Sequence, residues 1–179
     1  VVGAVLLTLG VAVTLLYTES AQLVPALKSW WLVIHVSAAA ISGGAFTLSA
    51  GLITAYLIRL RAEERGTAGN GLASRLPSSQ RLDALAYRTI AFVFPVWTFA
   101  VIAGAIWAEN AWGRYWGWDP KETWAFVTWV IYAGYLHARS TAGWKGRKAA
   151  VIGLIGFAAF IINFFGVNLF ASGLHSYSG

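Results

Sequence analysis

Five apolar stretches alternate with polar ones along the chain, and their lengths predict helices rather than strands. Val1 to Leu16 is continuously apolar, with small residues at Gly3, Ala4, Gly10 and Ala12, and Tyr17 and Glu19 end it. After a short loop at Pro25, Trp30 and Trp31 head a second stretch from Leu32 to Leu57. Ala38 to Ala40, Gly43, Gly44 and Gly51 fall inside it and permit close helix packing in lipid. A third runs from Thr89 to Trp107, a fourth from Pro120 to about His137, and a fifth from Ala149 to Phe170. Runs of this length suit helices that cross a bilayer. The predicted fold class is therefore all-α, a polytopic transmembrane bundle of about five spans. Ala171 to Gly179 is left as a short polar tail.

The polar intervals set the predicted topology. Arg59 to Arg88 carries six arginines among Gly66, Gly69, Gly71 and Pro77, and reads as a basic loop with a short helix leading into the third span. Arg139, Lys145, Arg147 and Lys148 form a second basic loop. These two intervals hold ten of the thirteen Lys and Arg residues, against Lys28, Arg114 and Lys121 on the other side. The positive-inside rule then makes both basic loops cytoplasmic. The loop near Pro25, the segment 108–122 and the tail face outward. The net charge of +6 thus reports membrane orientation rather than nucleic-acid binding.

Composition supports this class. Of the 179 residues 58% are hydrophobic and 11% charged, under half the roughly 25% usual in soluble domains. The chain has no Cys, which excludes disulfides, thiolate metal sites and CxxC chemistry of its own. With Met also absent, histidine is its only strong side-chain ligand for a borderline metal. The lack of any Met also predicts that Val1 is not a translated start. We expect a single membrane domain over 1–179, the C-terminal part of a longer protein.

The candidate chemistry gathers around one stretch, Trp112-Gly-Arg-Tyr-Trp-Gly-Trp-Asp119, continuing into Pro120-Lys-Glu-Thr-Trp124. Trp112, Tyr115, Trp116 and Trp118 place four aromatics in seven residues. A lipid-interface belt accounts for Trp30, Trp31 and Trp107, but not for this cluster. If the segment is helical, Trp112, Tyr115 and Trp116 share a face able to stack on a large flat ligand. Belt and platform both remain open on composition. Asp119, Pro120 and Glu122 have the pattern of a helix N-cap, first helical residue and capping box.

The histidines bear on that choice. His35 lies a few residues below Trp31, and His175 just beyond the fifth span, so topology sends both toward the aromatic segment. Two neutral imidazoles suit the axial positions of a planar iron macrocycle, although an isolated interfacial His more often meets headgroups. His137 lies 17 residues after Pro120, roughly 26 Å along a helix. It reads as a polar helix-end residue near the cytoplasmic edge, or as an intramembrane functional group whose partner is absent from this chain.

The run Trp112 to Trp124 resembles the tryptophan-rich WWD signature of haem-handling proteins in cytochrome c biogenesis. Ala103 to Trp112 before it, Tyr135-Leu-His-Ala-Arg139 after it, and Asn163 to Leu169 with Gly173 to Tyr177 near the end narrow the resemblance. They point to the CcsA/ResC type, named CcsB in actinobacteria, over Trp30 to Gly179. The resemblance implies haem b presented on the outer face, with His35 and His175 as axial ligands. Trp112, Tyr115, Trp116, Trp118, Asp119 and Trp124 belong to the signature that holds it. His137 matches one of two ligands of a second, intramembrane haem, whose other histidine would precede His35 and does not occur here.

The family's role implies a share in a holocytochrome c synthase. Its partners would be a ResB-type membrane subunit, apocytochrome c with a CxxCH segment, and a thiol-reducing pathway. The membrane would be the bacterial cytoplasmic membrane, or the thylakoid in plastid-type relatives. No catalytic nucleophile or acid–base pair is assigned. Positioning is the expected contribution, with Arg114 and Lys121 as candidate partners for haem propionates. Two other readings stand beside it: a haem-export chaperone of the CcmC/CcmF kind without synthase activity, and a scaffold that binds no haem.

Overall fold

A computed structural model describes residues 2–15, 25–171 and 174. All regular structure among the described residues is helical: α1 (Val2–Leu15), α2 (Trp30–Glu64), α3 (Ser79–Trp112), α4 (Pro120–Ser140), α5 (Arg147–Ile161) and the short α6 (Val167–Phe170). Single 3₁₀ turns occur at Pro25–Lys28 and Gly71–Arg75, and a π turn at Ile162–Gly166 joins α5 to α6. The helical-bundle expectation holds. Among the described residues three units are long and apolar enough to cross a membrane, α2, α3 and the run Arg147–Phe170. The 21 residues of α4 match the length of a span but carry more polar side chains.

Several predicted boundaries move. At 35 and 34 residues, α2 and α3 are about 50 Å long, well beyond the roughly 30 Å hydrocarbon core. The interval 59–88, expected to be mostly loop, is mostly helix, with the connection confined to 65–78. Hydropathy could not show this, because a helix leaving the bilayer becomes polar without ending. Arg59 stabilises the short connection, donating to Glu63 and to the Ala68 and Ala73 carbonyls. Glu63 in turn accepts from the Ser79 hydroxyl and amide, tying the end of α2 to the start of α3.

Arg139 also departs from expectation. Predicted in a basic loop, it lies within α4 with its side chain only 8% exposed. It donates both ends of its guanidinium to Asp83 of α3, at 2.8 and 3.0 Å, and lies over the Tyr87 ring at 4.9 Å. Arg147 pairs with Glu64 across α5 and α2. The basic end of the bundle is thus knit together by ion pairs.

In the interior, helices meet through aromatic rings and small residues. Phe46 of α2 is fully buried, stacked on Tyr132 of α4 at 4.3 Å and packed edge-on to Trp97 of α3 at 5.9 Å. Gly156 lets α5 approach α4 closely, because an added Cβ would come within 2.9 Å of the Tyr132 ring. The indole N–H of Trp129 donates to the Thr98 hydroxyl at 2.9 Å, a hydrogen bond between α4 and α3. Outward-facing residues such as Phe92, Phe99 and Ile102 are exposed, as a lipid-facing surface requires.

Pro95 sits inside α3 without ending it, which membrane helices tolerate where packed neighbours re-satisfy the freed carbonyl. The π turn has a different consequence. It inserts extra backbone at the C-terminal end of α5 and sets Asn163 in the interior, only 5% exposed. Such turns commonly occur where a helix serves a site.

Candidate functional site

The end of the bundle opposite the basic loops holds a cavity of about 420 Å³ between α2, α3, α5 and the start of α4. That volume falls in the range of roughly 300–1,000 Å³ typical of pockets for sizeable organic ligands. Its walls are largely small and apolar, with Ala39, Ala40, Ala100, Gly104, Ala105 and Ala108 among them. Small residues in this register leave space where two helices would otherwise close on each other. Tyr115 and Trp116 contribute from the loop, and His35, Lys121, Glu122 and Asn163 are the polar groups.

His35 is held in a defined state. Its Nδ1 lies 2.8 Å from the Ala100 carbonyl oxygen, and a carbonyl can only accept, so Nδ1 carries the proton. Nε2 then keeps its lone pair. A backbone carbonyl on the far nitrogen is the usual partner of a metal-ligating imidazole, since it fixes tautomer and ring plane. The ring also stacks on Trp107, centroids 6.4 Å apart and planes within 5°. Gly104 completes the cradle, because a Cβ there would stand 2.7 Å from the ring.

This predicts the effect of Gly104→Ala. The methyl group must push the imidazole off the Ala100 carbonyl, and overpacking of this kind costs about 1–3 kcal/mol. Losing the orienting hydrogen bond should lower the affinity of this imidazole for an iron centre by roughly tenfold or more. Titration of the purified variant with haem, beside wild type, measures it.

The aromatic segment is only partly as expected. Trp112 is the last residue of α3, and Gly113 ends the helix in the left-handed conformation with its N–H on the Glu109 carbonyl. Residues 113–119 are irregular, so Trp112, Tyr115 and Trp116 do not form a helical face. Gly113, left-handed at φ 70°, ends α3 ahead of Tyr115 and Trp116. Trp116 and Tyr115 line the cavity, whereas Trp112, Trp118, Asp119 and Trp124 do not. Trp112 packs edge-on against Trp107 at 4.9 Å, and Trp118 packs on Trp116 and Phe126. Trp118 is 64% exposed and has a positive φ of 56°, a conformation disfavoured for a bulky side chain.

Asp119 and Glu122 hold the loop in place. The predicted capping box is present: Asp119 Oδ1 accepts from the Lys121 amide at 3.0 Å, and Glu122 accepts from the Asp119 amide at 3.1 Å. Glu122 does more than that motif requires. It also accepts from the Gly117 amide at 2.8 Å and pairs with Arg114 at 3.2 Å. Arg114 is therefore engaged with Glu122 and lies near the Trp112 ring. Lys121 lines the cavity and donates to Asn168 Oδ1.

The other two histidines have different standings. His137 is exposed near the end of α4, with Nδ1 3.4 Å from the Thr141 hydroxyl, and does not line the cavity. The structure does not bring it together with His35. His175 lies outside the described residues, although Leu174, immediately before it, is described.

Three lining residues went unrecognised in the sequence. Trp107, read as an interfacial belt residue, is 2% exposed in the interior and faces His35. Trp97 and Asn163 carry buried polar atoms, the indole N–H and Oδ1, with no hydrogen-bond partner among the described residues. Both residues line the cavity, yet these two atoms are themselves buried beneath its surface. The spacing from His35 to Gly104 gives no sequence signal, and the π turn that buries Asn163 leaves none either.

These residues fit a haem as cargo. His35, held through Nδ1 by the Ala100 carbonyl, lines a largely apolar cavity together with Tyr115, Trp116 and Lys121.

Comparison with known proteins gives the lineage. The cytochrome c assembly protein family matches residues 1–175. The chain is 43% identical over 173 residues to the cytochrome c biogenesis protein CcsA of Guillardia theta, covering 89% of this chain and 58% of that protein. It is 41% identical over 178 residues to CcsA of Mesostigma viride, again covering 89% and 58%. With CcsA of Synechococcus sp. (strain CC9902) the identity is 42% over 179 residues, covering 89% and 59%. The chain therefore spans rather less than two thirds of the length of the curated relatives it matches. With residues 1–175 matched and relatives 41–43% identical over 89% of its length, the chain belongs to the cytochrome c assembly protein family.

Proposed function

We propose that the protein works in cytochrome c biogenesis, presenting haem b at the outer membrane face for covalent attachment to apocytochrome c. The observation that carries this reading is His35, its Nδ1–H on the Ala100 carbonyl and its other nitrogen available to iron. The relatives' shared name, cytochrome c biogenesis protein CcsA, points the same way. His35 supplies one axial ligand, and His175 the other. Tyr115 and Trp116 cover the macrocycle, and Lys121 pairs with a propionate. His137 belongs at most to a second, intramembrane site that is incomplete in this chain.

Bound haem supplies the vinyl groups to which the substrate thiols add. Each S–H adds across one C=C, so the step consumes neither an oxidant nor a nucleophile from this chain. The protein's own contribution is to hold the macrocycle still and exclude water while the CxxCH segment docks and its His replaces one axial ligand. A ResB-type subunit and a thiol-reducing pathway, which keeps those thiols reduced, complete the proposed machinery. The bacterial cytoplasmic membrane, or the thylakoid in plastid-type relatives, is its proposed place.

A pyridine haemochrome assay on the purified protein tests the first step, and haem at close to one per chain is the expected result. Expression with a ResB-type subunit and a reporter apocytochrome, in a host without other maturation genes, tests the second. Covalent product supports a synthase role. Haem binding without product would favour the export-chaperone reading, and absence of haem would leave only the scaffold.

A further inference from the structure

We propose that Asp119 is a positioning residue that divides its two carboxylate oxygens between starting α4 and fixing the chain that leads into His175. The inference rests on the reading of His175 as the second haem ligand. Oδ1 accepts from the Lys121 amide at 3.0 Å, which caps the helix. Oδ2 accepts from the Leu174 amide at 2.9 Å, across 55 residues of sequence. Asp119 is only 7% exposed, so these bonds are made away from bulk water.

The C-terminal chain needs such an anchor. Helix α6 ends at Phe170, and Ala171 is extended, with φ −118° and ψ 130°, so the chain leaves the helix there. Three residues later the Leu174 amide reaches Asp119. Lys121, two residues beyond the cap, makes a second tie through its ammonium group to Asn168 of α6. The start of α4 is therefore tied both to Asn168 and to Leu174, and the same stretch supplies Lys121 and Glu122 to the cavity.

The choice of residue supports the assignment. Asn caps a helix about as well as Asp, so capping alone does not call for a carboxylate. Only a carboxylate offers a second acceptor oxygen. In Asn the corresponding position is an NH₂ group, which donates and cannot accept the Leu174 N–H. Asp119→Asn therefore separates the two roles, keeping the cap and losing the tie. Asp119→Ser, which also caps and has a single side-chain oxygen, serves as a second test of the same separation.

The experiment compares wild type, Asp119→Asn, Asp119→Ser and His175→Gly, each purified with haem. Hydrogen exchange at Leu174 and in the first turn of α4 is followed beside the visible spectrum. In both Asp119 variants, exchange at Leu174 should quicken at least tenfold while the first turn of α4 stays protected. Their spectra should move from six-coordinate low-spin toward that of His175→Gly, and added imidazole should restore the original form. Unchanged exchange at Leu174 would overturn the tie. A wild-type spectrum in both Asp119 variants, with a shifted one in His175→Gly, would overturn the positioning role and leave His175 as a ligand. A wild-type spectrum in His175→Gly would overturn the ligand assignment itself and, with it, the positioning role.

Discussion

Purified His35→Gly protein should lose the six-coordinate haem spectrum, with haem affinity falling by at least roughly tenfold to a hundredfold. That range applies even to loss of an orienting partner, so loss of the ligand should reach its upper end. The structure gives the reason. The imidazole is held by the Ala100 carbonyl, by stacking on Trp107 and by the space at Gly104, and no other described histidine lines the cavity. Imidazole added from solution should refill the vacated space and restore much of the spectrum, because the cradle remains. His137→Gly provides the contrast. Its side chain is exposed and does not line the cavity, so the same spectrum should be unchanged. An unaltered spectrum in a variant lacking both His35 and His175 would refute the axial-pair assignment.

The largest loss of stability is expected from Arg139→Ala. The guanidinium is bidentate to Asp83 and flanked by the Tyr87 and Tyr135 rings, and it joins α4 to α3. Removing Arg139 strands the Asp83 charge. Because Asp83 keeps 21% of its side chain exposed, the cost should fall toward the lower end of the range for a fully buried pair, about 3–5 kcal/mol. Arg139→Lys should recover only part of this, since an ammonium group cannot reproduce the planar fork or the ring contacts. The Asp83→Ala, Arg139→Ala double variant should be more stable than either single variant, because no charge is then stranded. Unfolding midpoints in detergent measure all four, and equal midpoints for Arg139→Ala and the exposed control Arg65→Ala would contradict the assignment.

These two sites differ in how far the sequence reveals them. His35 stood out because the chain has three histidines and no Cys or Met, so elimination brings attention to it. Its orientation was not legible, since Ala100 and Gly104 are 65 and 69 residues away and neither has a distinctive side chain. Arg139 was misread for a related reason. Counted as one more cation in a basic loop, it proved to be a packed residue of α4, because its partner Asp83 is 56 residues distant. Hydropathy records how much polarity a segment carries, and not whether that polarity is paired.

The aromatic segment shows the same division within a few residues. Asp119, Pro120 and Glu122 act locally, and the capping box they form is legible in the sequence, whereas the end of α3 at Gly113 lies beyond the predicted end at Trp107. Which rings face the cavity is not legible, because the loop between α3 and α4 takes its course from Glu122, whose carboxylate gathers Gly117, Asp119 and Arg114.

The sequence by itself determined an all-helical membrane protein, its signature, and the start of α4, since apolar run length and capping chemistry act over a few neighbouring residues. Only the tertiary structure decided that Trp107 belongs beside His35, that Asn163 and Trp97 reach the cavity, and that Asp119 holds Leu174. Each of these depends on helices packing at the distances that alanines and glycines permit, and such distances are set between segments far apart in the chain.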